Sequence, residues 1–98
     1  PNAFIQINFA QPVISNVIKI TSRNSVYYKQ TPTHFELFGI NNQNQEESLS
    51  KIRVSWEKDQ TKLFLFINEK PYPKYKFKFY EFKFNGHVAI AELNLGQI

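Results

Sequence analysis

Residues 74–84 read KYKFKFYEFKF, a stretch in which lysines and aromatic residues alternate almost without interruption. Strict alternation over several residues is the period-2 signature of a half-buried strand. Tyr75, Phe77 and Phe79 fall on one face, and Lys74, Lys76 and Lys78 on the other. From Tyr80 the phase slips, because Tyr80, Phe82 and Phe84 take the opposite parity. One unbroken strand would expose three aromatics, although each buried Phe stabilises the fold by about 1.5–3 kcal/mol. A bulge or bend near Tyr80 and Glu81 is therefore predicted. Basic residues interleaved with aromatics also occur in single-stranded nucleic-acid binders, but stacking there needs rings on the cationic face. Here the faces of the strand are segregated, so nucleic acid is disfavoured and the lysines are read as a solvated face that discourages edge pairing.

The rest of the chain extends this pattern. Phe4–Phe9 alternates with Ile5, Ile7 and Phe9 on one face, and Gln11-Pro12 is predicted to end that strand. Residues 13–22 resume with Ile14, Ile18 and Ile20 in phase, followed by turn chemistry at Ser22-Arg23-Asn24-Ser25 and a loop over 24–33. His34–Ile40 is a strand with apolar residues on both faces, and 41–48 (NNQNQEES) is a polar loop. Residues 51–56 put Ile52, Val54 and Trp56 on one face of a strand. Leu49, Ile52 and Trp56 would also line one side of a helical turn, but Val54 would leave that face, so strand is favoured. Residues 62–67 (KLFLFI) form a continuous apolar run, which predicts a strand covered on both sides. Pro71-Tyr72-Pro73 forces an extended turn, and 87–95 (HVAIAELNL) is a further near-continuous apolar strand. Seven strand-like segments, turn signals between them and no amphipathic helix predict an all-β fold, an antiparallel β-sandwich in one domain over residues 1–98.

Composition bounds the function. The chain has 98 residues, 42% hydrophobic and 16% aromatic, with ten Phe and five Tyr to fill one core. The net charge of +4 comes from lysine, with only Arg23 and Arg53 to offer planar forks. No run of eighteen apolar residues exists for a transmembrane helix. Cysteine is absent, which removes disulfides, thiolate zinc sites and thiol catalysis. With no N-glycosylation sequon either, an intracellular compartment is expected, and an extracellular one if the chain binds carbohydrate. His34 and His87 lack metal-ligand spacing and are read as packing residues. Glu46-Glu47 and Glu57-x-Asp59 are paired carboxylates in polar stretches, expected to be exposed with ordinary titration. Three glycines cannot build a phosphate loop. No nucleophile and base pair stands out, and the chain is not expected to be an enzyme.

The order FIQINFAQPVISNVIKITSRN, TPTHFELFGINN, PYPKYKFKFY and HVAIAELNL resembles the discoidin domain, also called the coagulation factor type C domain. That domain is a jelly-roll sandwich related to carbohydrate-binding module family 32. The most specific parts are the opening at 5–14, the stretch Thr31–Gly39 and Val88–Leu93. Nothing here corresponds to the strands and long loop that usually precede the segment equivalent to Phe4–Phe9, so the resemblance implies a sandwich without its N-terminal strands. Without them, an open edge and an exposed apolar face are expected. The loop at 41–48 also departs from the family's usual turn.

The resemblance implies a non-catalytic module that recognises sugars, lipid head groups or proteins through loops at one end of the sandwich. A binding or assembly role with a protein partner, or with the rest of a larger polypeptide, is the expectation. The alternative is a carbohydrate-binding module for a galactoside-type glycan. Arg23 and Asn24 stand about where sugar-binding relatives contact ligand, with Tyr27, Tyr28 and Tyr72 as stacking surfaces. Relatives also hold a structural calcium near the last strand, and Ala91 and Glu92 match that position. A glutamate within that apolar strand needs a partner, either calcium or a basic side chain.

Overall fold

A computed structural model describes residues 3–22, 31–81 and 92–98. Its strands are β1 (Ala3–Val13), β2 (Val17–Thr21), β3 (His34–Ile40), β4 (Glu46–Arg53), β5 (Thr61–Leu65), β6 (Tyr72–Glu81) and β7 (Glu92–Gly96). They form two sheets, one in the order β1-β6-β3-β4 and one in the order β5-β2-β7. Every described pairing is antiparallel. The predicted all-β sandwich is the observed architecture.

The lysine and aromatic stretch lies in β6, between β1 and β3. Tyr75, Phe77 and Phe79 are at most 1% exposed, and the other sheet supplies Ile18 and Ile20 to the same core as Phe35, Leu37, Ile52 and Tyr72. The predicted phase slip is also present. Phe35 pairs with Phe79 while His34 pairs with Glu81, so Tyr80 is the extra residue of a bulge. Phe82, Phe84 and His87 lie outside the described residues.

Several boundaries differ from the prediction. β1 runs through Gln11-Pro12, because Pro12 sits in a register irregularity between Asn8 and Val13 on an edge strand, where its missing N–H breaks no ladder. Ile14 lies outside β2, in the crossing from one sheet to the other. Ser15 anchors that crossing: its N–H donates to the Tyr75 hydroxyl at 3.1 Å and its Oγ donates to the Gly96 carbonyl at 2.8 Å. The polar loop is shorter than its composition suggested, since Glu46–Ser48 belong to β4, where an edge strand's outer face tolerates polar residues. Asn41 Oδ1 closes the turn by accepting from Gln43 N and Gln45 N, with Asn44 at φ 61°. Pro71-Tyr72-Pro73 leads directly into β6, the extended preference of each proline suiting the strand.

β5 is not covered on both sides. Phe64 and Phe66 face the core, whereas Leu63 and Leu65 point outward at 65% and 69% exposure. The apolar run alternates in environment because no described element packs on the outer face of its sheet.

The outer face of the larger sheet is polar. Glu46 accepts from Lys76 at 3.0 Å and from Lys78 at 2.8 Å, and these hydrogen bonds, Lys78 first, hold its carboxyl below the ordinary glutamate range. Glu47 is lowered likewise by the Tyr72 hydroxyl and then by Lys70. Ordinary titration was the expectation for this pair; instead both carboxyls are held low by these partners. The faces of β6 are segregated as predicted, but neighbouring strands set Phe4 over Lys76 at 4.4 Å and Phe38 over Lys78 at 4.8 Å.

Packing sets two expectations. A Cβ on Gly39 would stand 2.6 Å from ring carbons of Tyr72, so Gly39→Ala lowers stability by about 1–3 kcal/mol in urea unfolding. Phe77→Ala costs about 3–5 kcal/mol, whereas Leu63→Ala on the exposed face stays within about 0.5 kcal/mol. The lowered Glu46 carboxyl contributes stability that is present above the ordinary glutamate value of 4.5 and is lost as pH falls through its folded value. Urea midpoints of Glu46→Gln should therefore fall less than those of the parent on acidification.

Candidate functional site

β2 runs to one end of the sandwich, where residues 23–30 connect it to the approach to β3. The described residues on both sides of that connection are buried. Ser22 is 0% and Thr31 1% exposed. Burial of a serine requires partners: the Ser22 N–H donates to the Gln60 carbonyl at 2.8 Å, its Oγ donates to the Glu57 carbonyl at 2.6 Å, and Gln60 N–H donates back to Oγ at 2.9 Å. Ser22 thus ties the end of β2 to the turn before β5. That turn is closed by Glu57 N–H donating to Gln60 Oε1 at 3.0 Å, with Asp59 at φ 55°.

The other side of the connection is held by Trp56. Its indole N–H donates to the Pro32 carbonyl at 2.8 Å, and Val54 N–H donates to the Thr33 carbonyl at 2.8 Å. The indole also packs edge-on against Phe64, with Lys62 Nζ 5.7 Å from its ring centre. Thr31 Oγ1 is buried with no hydrogen-bond partner among the described residues. The described residues that flank 23–30 therefore form a fixed frame, held at Ser22 on one side and at Pro32 on the other.

Beside this frame, the His34 ring stacks at 5.4 Å on Tyr80. The Tyr80 hydroxyl donates to Glu36 Oε1 at 2.9 Å, and Ser48 Oγ donates to Glu36 Oε2. Desolvation first, and then the Glu36 carboxylate, push the Tyr80 phenol up. His34 is the packing residue that its lone position suggested. Glu36 is 8% exposed, with both oxygens accepting from hydroxyls.

Of the residues singled out from sequence, Arg23, Asn24, Tyr27, Tyr28 and Ala91 lie outside the described residues. Tyr72 is not a stacking surface: it is 2% exposed, lies at the opposite end, where Val13 pairs with it, and its hydroxyl donates to Glu47 Oε1 at 2.5 Å. Glu92 stands on the outward face of β7 with Lys19 Nζ 3.5 Å away. Of the two partners expected for it, the basic side chain is present. A hard cation wants six to eight oxygens; among the described residues no three His, Cys, Asp or Glu side chains cluster to offer them.

Ser22, Gln60 and the Trp56 indole had no site signal in the sequence. Their roles depend on three segments meeting at one end of the sandwich. The sequence hint nearest to them was the turn chemistry after Thr21.

No family model matches the chain, and no curated protein matches it. Among solved structures, a family 32 carbohydrate-binding module from Clostridium perfringens, solved in complex with GalNAc-β-1,3-galactose, superposes with a TM-score of 0.77 at 20% sequence identity. The match covers 94% of this chain and 63% of that one. The chain therefore has the discoidin-like β-sandwich fold of family 32 carbohydrate-binding modules.

Proposed function

We propose that the chain is a non-catalytic carbohydrate-binding module that holds a galactose-containing glycan at the end of the sandwich where β2 terminates. One observation supports this reading above the others: a module of the same fold was solved with GalNAc-β-1,3-galactose. It favours the glycan reading over the protein-assembly role that was the first expectation from sequence. Arg23 and Asn24 would supply directed hydrogen bonds to sugar hydroxyls, and Tyr27 or Tyr28 an apolar face for a pyranose ring. The frame of Ser22, Thr31, Pro32 and Trp56 would limit the ordering cost of the loop on binding. The Ser22 hydroxyl is engaged by backbone groups of Glu57 and Gln60, a structural role.

A protein partner is the second reading, and a separate observation supports it. Leu63, Leu65, Ile67 and Ile98 are each 65% exposed or more, and Leu63 and Ile98 line one apolar groove with Val17 and Leu95. Calcium at Ala91 and Glu92 is not needed for either reading.

Titration calorimetry with GalNAc-β-1,3-galactose tests the proposal. Binding is expected, with Arg23→Ala weakening it about ten-fold or more by removing a charge-assisted hydrogen bond, while Lys76→Ala on the outer sheet face leaves it unchanged. Absence of heat with this disaccharide, and of signal across a glycan array, would reject the carbohydrate reading.

A further inference from the structure

We draw no further inference here: the strongest candidate, the apolar groove that Val17, Leu63, Leu95 and Ile98 line on the β5-β2-β7 sheet, carries nothing because nothing in the structure shows what covers it.

Discussion

The structure depends on the inward face of β6. Tyr75, Phe77 and Phe79 are all but fully buried on the strand that joins β1 to β3, and the second sheet brings Ile18 and Ile20 to the same core. Aromatic side chains bury the largest areas, so one strand carries a large share of the burial that holds both sheets. Tyr75 adds a polar function that Phe could not supply. Its hydroxyl donates to the Val13 carbonyl at 2.7 Å and accepts from Ser15 N–H at 3.1 Å, bonding the core to the point where the chain crosses between sheets. Burial pushes this phenol up, with the Ser15 hydrogen bond opposing, so it stays protonated and able to donate.

A division of labour between the two ends follows from this core. At one end, Glu47 gathers Tyr72, Lys70 and Asn41 around a short turn, and the tyrosine that looked like a sugar platform is consumed in structure. At the other end, Ser22 and Trp56 spend their polar groups on backbone partners of the turn before β5 and the approach to β3. Under the proposed glycan reading, residues 23–30, which connect Ser22 to Thr31, are the segment assigned to the ligand.

Much of the fold was legible from alternation. Ile18 and Ile20, and Tyr75, Phe77 and Phe79 of β6, are buried as their periodicity requires, and the bulge at Tyr80 follows from a parity change that can be counted in the sequence. What alternation could not supply was the second layer. Leu63 and Leu65 carry the same apolar signal as Phe64 and Phe66, yet no described element covers them. Polar Glu46–Ser48 resembled a loop because an edge strand with a solvated face needs no apolar pattern. The candidate site was legible only as a position, the turn after β2. Its supporting side chains come from segments far apart in the chain, and no local pattern encodes that meeting.

By itself, the sequence determined the all-β class, the inward and outward faces of the alternating strands β1, β2 and β6, and the place where the longest aromatic run must bulge. These are properties of single strands, set by a period of two and the cost of exposing apolar surface. Only the tertiary structure decided which described strands lie at sheet edges, that Glu46 pairs with two lysines of β6, and that Ser22 and Trp56 bond to the turn before β5 and the approach to β3. Each of these depends on contacts between residues distant in sequence, which pairing register and sheet order create and composition does not.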